Sequence, residues 1–204
     1  MEKTDKDKEI KRIRGFYEIK EGVFVPSVTT VIYEVLAAPQ LRYWYGKVGN
    51  EEAGRIGSEA KSFGSAMHKF VAEYLRTKQL PVEDTLATNV RNAWNTWLDW
   101  WSKNPVEPEL VEEVIHNDTY AGTCDLSGEG WLIDWKFANG IYDSHKVQLG
   151  AYARLLGVEK AKIVRISKDE NDLEVLEMNK EELEAAAEVF NSLLKVFWWK
   201  RGGK

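Results

Sequence analysis

The segment from Tyr120 to Tyr152 constrains the fold most, because two strand-like patterns are followed by a helical pattern. Residues 131–136 are rich in aromatic and β-branched side chains, as β-strands are. Residues 120–126 predict an antiparallel partner, and the tetrapeptide Ser-Gly-Glu-Gly at 127–130 predicts the turn between them. We therefore expect a β-hairpin, followed by a helix over residues 143–156.

The predicted hairpin brings two acids and a lysine together. Side chains alternate along a strand, so Asp134 and Lys136 share one face. A four-residue loop would pair Asp125 with Leu132 and place Asp125 on that face, about 7–8 Å from Asp134 at the backbone. Two carboxylates can span that distance to share one cation, and a register slip of one residue would destroy the arrangement.

This group of residues suits the hydrolysis of phosphodiesters. Mg²⁺ prefers oxygen ligands and keeps several waters, one of which can be deprotonated as the nucleophile. A lysine beside the ion can orient or deprotonate that water, or stabilise the charged transition state. An Asp-x-Lys tripeptide alone is more typical of a surface hairpin with a salt bridge, so further features are needed.

A histidine on a predicted helix is one such feature. Residues 58–78 carry an apolar stripe at helical spacing, made of Met67, Phe70, Val71, Tyr74 and Leu75. His68 lies at the border of the stripe, one turn after Gly64. Helical side chains lean toward the N-terminus, so the glycine leaves space where the imidazole points. This suits a ligand for metal or DNA, and an ordinary histidine at the edge of a helix face is the alternative.

The helix predicted over residues 143–156 has two polar residues within its buried face. Val147 and Ala151 mark that face, and Gln148 and Tyr152 lie in it, one turn apart. Buried polar groups without partners cost about 1–3 kcal/mol. Both side chains should therefore have partners, either in the core or on a substrate phosphate.

Taken in chain order, these motifs resemble the PD-(D/E)XK nuclease superfamily, in particular its RecB-like branch of CRISPR adaptation nucleases and phage-type exonucleases. The resemblance spans about residues 24 to 165. Its motifs are GSAMH (64–68), AGTCDL (121–126), IDWK (133–136) and QLGAY (148–152), with PSVTT (26–30) and LRYW (41–44) upstream. It implies a restriction-endonuclease-like α/β fold, with a central mixed β-sheet flanked by helices, added N-terminal helices and a C-terminal helix.

The resemblance also implies a role for each site residue. His68, Asp125 and Asp134 would bind one or two Mg²⁺ or Mn²⁺ ions, with the main-chain carbonyl of Trp135 as a further ligand. Lys136 would be the catalytic lysine.

Other residues would have supporting roles. Gln148 and Tyr152 would support the site or contact DNA. Glu113, on a strand predicted over residues 110–116, matches a frequent acidic position of the branch, and Glu112 stays open as the true equivalent. The single cysteine, Cys124, excludes the four-cysteine iron–sulfur cluster of some relatives and is predicted to be a small core residue.

The implied function is metal-dependent DNA hydrolysis, in the form of an exonuclease acting on DNA ends in recombination, repair or replication. A structure-selective endonuclease and a catalytically idle nucleic-acid-binding subunit are the alternatives. The sequence lacks a phosphate-binding glycine loop with lysine. Any unwinding would therefore come from a partner such as a helicase, and a recombination or replication protein is another candidate. The sequence leaves open the cleavage polarity, DNA against RNA, and the oligomeric state.

Composition limits the partners and the compartment. The sequence has no apolar run near the roughly 20 residues of a membrane span and no secretory signal pattern. With one cysteine, these features favour a cytoplasmic protein of viral, plasmid or prokaryotic origin. The net charge of −5 is unusual for a DNA-binding protein, because phosphate contacts come from Lys and Arg. Local patches must supply the affinity, and the candidates near the site are Arg42, Lys47, Arg55 and Lys61.

The expected domain plan is simple. Residues 1–14 form a charged arm, either disordered or in contact with DNA, and residues 15–204 form a single nuclease domain. Within it we expect a helical portion over about 27–103, a catalytic core over about 108–178 and a helix over about 180–199.

Shorter elements can also be predicted. Residues 16–25 predict a hairpin, Ser27 can cap a helix and Pro39 can open another, while residues 50–57 predict a bend. Several of the nine tryptophans share the apolar face of a helix predicted over 85–102. They are therefore expected in the core rather than in base stacking.

Overall fold

The computed structural model describes residues 10–36, 39–80, 86–167 and 172–203, apart from the side chains of residues 39–42. Its strands are β1 (Lys11–Ile13), β2 (Phe16–Lys20), β3 (Val23–Pro26), β4 (Leu110–His116), β5 (Ala121–Gly128), β6 (Trp131–Lys136), β7 (Lys160–Ile166) and β8 (Leu173–Met178). Its helices are α1 (Val28–Val35), α2 (Pro39–Val48), α3 (Asn50–Thr77), α4 (Thr88–Lys103), α5 (Asp143–Leu156) and α6 (Lys180–Trp199).

The centre of the fold is a five-stranded mixed sheet in the order β4-β5-β6-β7-β8. Strands β6 and β7 pair in parallel, and the other neighbours pair antiparallel. A parallel pair needs a long crossover connection, which here contains α5. The predicted fold class, a mixed sheet flanked by helices, is therefore confirmed.

Helices cover both faces of the central sheet. Helices α1, α5 and α6 pack on one face, where Leu149 of α5 meets Leu132 of β6 in the same buried cluster. Helices α3 and α4 pack on the other face, where Met67, Trp97 and Trp135 are buried together. The tryptophans of α4 lie at core positions, as predicted, and Trp97 packs edge-on against Trp135 at 5.7 Å between ring centroids.

The second sheet, in the order β1-β2-β3, joins the central sheet at the start of β5. Ser27 forms an isolated parallel bridge with Ala121. The Tyr17 hydroxyl also shares a 2.9 Å hydrogen bond with the Thr123 hydroxyl. These contacts place the N-terminal strands beside the first residues of β5.

Local signals at the N-terminus predict the observed elements. The hairpin of β2 and β3 forms as expected, and helix α2 begins at Pro39. Ser27 caps α1, because its hydroxyl accepts a 3.1 Å hydrogen bond from the Thr30 amide. Among the described residues, none of the helices combines the length and apolar character needed to cross a membrane.

Two local predictions are corrected. Within the charged arm predicted over residues 1–14, Lys11–Ile13 form β1 and are not disordered; residues 1–9 lie outside the described part of the structure. The bend predicted over residues 50–57 is helical, and α3 runs without interruption from Asn50. The chain turns instead at Gly49, whose φ of 85° is costly for residues with a side chain.

The register of the β5–β6 hairpin also differs from the prediction. The turn consists of Glu129 and Gly130 alone, with φ of 51° and 77°, as type I′ hairpin turns require. Leu132 therefore pairs with Ser127 and not with Asp125. The shift is two residues, an even number, so the predicted alternation of faces along β6 is unchanged.

Candidate active site

The site lies where the β5–β6 ladder ends. The two strands pair from the turn only as far as Leu126 and Ile133. Beyond that pair, the Asp125 carboxylate accepts a buried 2.8 Å hydrogen bond from the Trp135 amide through Oδ2. The Asp125 side chain thus accepts a backbone hydrogen bond from β6, which fixes its carboxylate at the fork between the two strands.

An irregularity in β4 and β5 accompanies this fork. Cys124 packs against the helices of the α5–α6 side, whereas Leu126, two residues later, packs with α3 and α4. Regular alternation would put both residues on one face. The change of face falls at Asp125 on β5 and at Glu112 on β4. These two residues lie opposite each other, because the pairs on either side are Val111 with Leu126 and Glu113 with Cys124. Glu112 has a left-handed φ of 50°.

Three side chains converge at this irregularity. The Nδ1 atom of His68 lies 3.3 Å from Glu112 Oε1 and 3.5 Å from Asp125 Oδ1. One ligand atom from each residue can be chosen so that all three lie within 4.8 Å of one another. As expected from the sequence, no heavy atom lies within 4 Å of where a Gly64 side chain would begin, apart from its neighbours and its own helix backbone.

The charged groups in this cluster shift one another's pKa values. Burial favours neutral imidazole, but Asp125 and Glu112 outweigh it and raise the pKa of His68 to about 8. Burial raises the pKa of Asp125, and the nearby His68 and Lys136 oppose that shift. Charged groups buried this closely are typical of functional sites.

A second polar group adjoins the first on the α5 side. Lys136 Nζ lies 2.6 Å from Asp134 Oδ2 and donates a 3.2 Å hydrogen bond to Gln148 Oε1. The amide of Gln148 in turn donates a 3.2 Å hydrogen bond to Asp134 Oδ1. Burial raises the pKa of Asp134, against the effect of the lysine. Gln148 therefore has partners, as predicted, but they are these two site residues and neither the apolar core nor a phosphate.

Tyr152 lies next to this group and against β5. A Cβ atom added at Gly122 would come within 2.3 Å of the Tyr152 ring, so only glycine fits there. Burial, with the charges of Asp134 and Asp125, raises the pKa of the Tyr152 hydroxyl well above its usual value. The hydroxyl is therefore neutral, and its hydrogen bond with the Gln148 side chain opposes the shift.

A cleft of about 770 Å³ opens onto both groups. Besides the site residues, its lining includes the cations Arg12, Lys69 and Arg76. The Arg12 guanidinium donates hydrogen bonds of 3.0 and 3.1 Å to the hydroxyls of Ser27 and Thr29. The cleft thus offers positive charge beside the carboxylates, although the net charge of the chain is negative.

The structure does not bring every predicted residue to the site. Glu113 is exposed and pairs with Cys124, so it lies outside the cluster, and its neighbour Glu112 takes the place expected for it. The side chain of Arg42 lies outside the described part of the structure. Cys124 is buried in the core, and burial raises the pKa of its thiol.

Arg55 forms ion pairs along α3 instead of facing a substrate. Its guanidinium contacts Glu52 and Glu59, one turn away on either side. Such pairs at helical spacing support the helix, which explains why the segment predicted as a bend is helical. The positive patch predicted around Arg55 is therefore partly neutralised.

His145 is a site neighbour that the sequence reasoning did not single out. Its pKa is lowered to about 4, first by burial and then by the nearby Lys136. The Tyr142 amide donates a 3.3 Å hydrogen bond to Nδ1, so the neutral ring carries its proton on Nε2. Its spacing of three from Gln148 places it on the same face of α5 and could have indicated this position.

The donor set of the cluster fits a divalent cation. His68, Glu112 and Asp125 supply one imidazole nitrogen and two carboxylates, and carboxylate oxygens are what Mg²⁺ and Mn²⁺ prefer. The side chains of His68 and Glu112 are 31% and 28% exposed, and that of Asp125, although mostly buried, keeps 10%. An ion could therefore reach them from solvent and keep water ligands.

Comparison with known proteins gives weak structural likenesses. No known family and no curated protein matches the chain. A solved structure of a protein named SSO0001 matches with a TM-score of 0.40 and 16% identity over 83% of this chain and 75% of that one. An alkaline exonuclease from Laribacter hongkongensis matches with a TM-score of 0.38 and 12% identity, over 66% and 83% respectively.

A phage-related exonuclease from Haemophilus somnus 129PT matches with a TM-score of 0.37 and 10% identity, over 84% of this chain and 95% of that one. Two of these three proteins are exonucleases by name. Likenesses this weak say nothing of the function of this chain.

Proposed function

We propose that this protein is a Mg²⁺- or Mn²⁺-dependent nuclease that hydrolyses phosphodiester bonds in DNA. The observation that carries the proposal is the convergence of His68, Glu112 and Asp125 within 4.8 Å, beside Lys136 in an open cleft. A structural salt-bridge network does not need an imidazole, two carboxylates and a lysine around one accessible point. In line with the motif resemblance, the proposed form is an exonuclease acting on DNA ends.

In this proposal, His68, Glu112 and Asp125 hold the ion, and Asp134 and the main-chain carbonyl of Trp135 are further ligand candidates. When bound, the ion would act as a Lewis acid on the phosphate and lower the pKa of a coordinated water.

The remaining groups act on the substrate and the nucleophile. Lys136, held by Gln148 and Asp134, stabilises the charge that develops on the phosphate and orients the attacking water. Gln148 accepts a hydrogen bond from the lysine ammonium and donates one to Asp134, and it thereby holds the ammonium in place. Arg12 and Lys69 bind phosphates of the nucleic acid along the cleft. A helicase or a recombination or replication protein would supply any unwinding.

The test is a cleavage assay with purified protein. Linear and covalently closed DNA, single- and double-stranded, and matched RNA are incubated with Mg²⁺, Mn²⁺ or a chelator. We expect loss of linear DNA that depends on the metal, while closed circles stay intact. Nicking of closed circles would identify an endonuclease instead. Binding of DNA without any cutting would indicate the idle subunit.

Variants separate the proposed chemistry from a contaminating nuclease. Lys136→Ala and Asp125→Ala should each lower the cleavage rate about 100- to 1000-fold, the usual cost of removing one group that stabilises a transition state. Lys146→Ala is the matched control, because this lysine lies on α5 and pairs only with the exposed Asp143 among the described contacts. Cleavage that survives both site substitutions would rule the mechanism out.

A further inference from the structure

Arg76 lines the cleft, but its side chain also contacts the backbone of strand β4. It lies on α3 two turns after His68, and its Nη2 atom donates a hydrogen bond to the Val111 carbonyl oxygen. Strand β4 is an edge strand of the central sheet in the described structure, so carbonyls on its outer side have no strand partner there. Helix α3 therefore contacts two consecutive residues of β4, Val111 through Arg76 and Glu112 through His68.

The peptide that Arg76 contacts immediately precedes a strained residue. Glu112 has a φ of 50°, and a left-handed conformation costs a residue with a side chain about 1–2 kcal/mol. Such strain persists only where the surroundings enforce it, and it concentrates at functional sites. Ladder pairs at Val111 and Glu113 hold the strand on both sides of Glu112. Arg76 adds a contact to the carbonyl of the peptide between Val111 and Glu112.

We propose that Arg76 is a positioning residue of the metal site. By holding the Val111–Glu112 peptide, it keeps Glu112 in the left-handed conformation that turns its carboxylate toward His68 and Asp125. Because His68 and Arg76 lie on one rigid helix, the same element sets the imidazole and the carboxylate relative to each other. This inference depends on the metal site proposed above, and it assigns Arg76 a role other than binding a substrate phosphate.

The experiment measures Mn²⁺ binding to the metal-free protein by isothermal titration calorimetry, without DNA. Loss of an outer contact to a metal ligand usually weakens metal affinity about 10- to 100-fold, and we expect an effect of that size for Arg76→Gln. Arg76→Lys should recover part of the loss, because an ammonium group can also donate to the carbonyl. Lys195→Gln on α6 is the control, since it removes an exposed cation outside the cleft and should leave the Mn²⁺ Kd unchanged.

A double variant tests whether Arg76 acts through Glu112. If it does, Arg76→Gln should have almost no further effect on the Mn²⁺ Kd once Glu112 is replaced by glycine, because the two changes share one cause. Additive losses would overturn the proposal. So would an unchanged Kd in Arg76→Gln together with a raised KM for DNA, which would make Arg76 a phosphate contact. Failure of the unaltered protein to bind Mn²⁺ would instead defeat the proposed function itself.

Discussion

The closed end of the β5–β6 hairpin and its open end differ in how they are built. At the closed end, a two-residue turn and three paired positions hold the strands, and Leu126 and Ile133 are buried. At the open end, the ladder stops, and Asp125 accepts the amide hydrogen of Trp135. Helix α3, strand β4 and helix α5 then contribute the side chains that surround the fork.

This difference shows a division of roles within one hairpin. The closed end is stabilised by local pairing and apolar burial, so its substitutions should change stability. The open end carries buried carboxylates with raised pKa values and a left-handed glutamate, which cost stability, so its substitutions should change binding and catalysis. The expected changes in the free energy of unfolding therefore differ between the two ends in sign as well as in size.

The largest effect on stability is expected at the closed end. Leu126→Ala should lower the free energy of unfolding by about 2–5 kcal/mol, because a fully buried leucine is replaced by a cavity. Urea unfolding followed by circular dichroism measures the loss. A matched change on the exposed side of the fold, Leu80→Ala, should cost far less. Equal costs at both positions would contradict the role given to the closed end.

The next effect concerns pH at the open end. The pKa of His68 is raised to about 8 in the folded protein, against about 6.5 in the unfolded chain. The stabilisation from its protonated ring is therefore fully present below pH 6.5 and is lost as the pH rises through 8. It amounts to at most about 2 kcal/mol, since one pKa unit corresponds to about 1.4 kcal/mol.

The measurement compares the unaltered protein with His68→Gln in chelator, by urea unfolding at pH 6 and pH 9. The free energy of unfolding of the unaltered protein should exceed that of His68→Gln by more at pH 6 than at pH 9. His116→Gln, at an exposed position on β4, serves as the control. A difference that is the same at both pH values would show that the charge on His68 does not contribute.

A smaller effect should have opposite signs at two neighbouring residues. Glu112→Gly should give a free energy of unfolding about 1 kcal/mol higher than Glu112→Ala, because both variants lose the carboxylate and only glycine adopts a φ of 50° without the steric penalty. At Glu113, in the regular strand, the glycine variant should instead be about 0.5–1 kcal/mol less stable than the alanine variant. Only the changes at Glu112 should also weaken Mn²⁺ binding in calorimetry. A glycine variant at position 112 that is less stable than the alanine variant would show that the residue is not strained.

The smallest effect is expected at the turn. Glu129→Asn should stabilise the protein by a few tenths of a kcal/mol, because Asn-Gly is the preferred sequence of a type I′ turn. Gly130→Ala should destabilise it, since φ is 77° there. Thermal unfolding can measure both changes, and neither should alter cleavage. An altered cleavage rate would mean that the closed end also shapes the site.

Much of the candidate site could be proposed from the sequence, because its residues stand in short motifs with regular spacing. Gln148 and Tyr152 were identifiable as polar positions on a buried helix face, and His68 by its place beside an apolar stripe. Arg76 repeats the spacing of His68 by two turns, and this signal could have found it. The choice between Glu112 and Glu113 could not be made, because it depends on a left-handed backbone that glutamate does not favour.

The position of Arg12 in the cleft could not be predicted from the sequence either. It reaches the cleft only because the sheet of β1, β2 and β3 docks on β5, through the contact of Tyr17 with Thr123 more than 100 residues away in the chain. Pairings of this kind depend on the shape of two assembled surfaces and leave no periodic signal in the sequence.

The sequence by itself determined most of the helices and strands and the faces on which the polar residues of α3, α5 and β6 lie, because hydrophobic periodicity and turn residues act over a few positions. The tertiary structure alone decided where the β5–β6 ladder stops, which glutamate joins His68 and which cations line the cleft. These features arise where separate elements meet. There, competition between backbone pairing, side-chain hydrogen bonds and burial is settled by the whole fold.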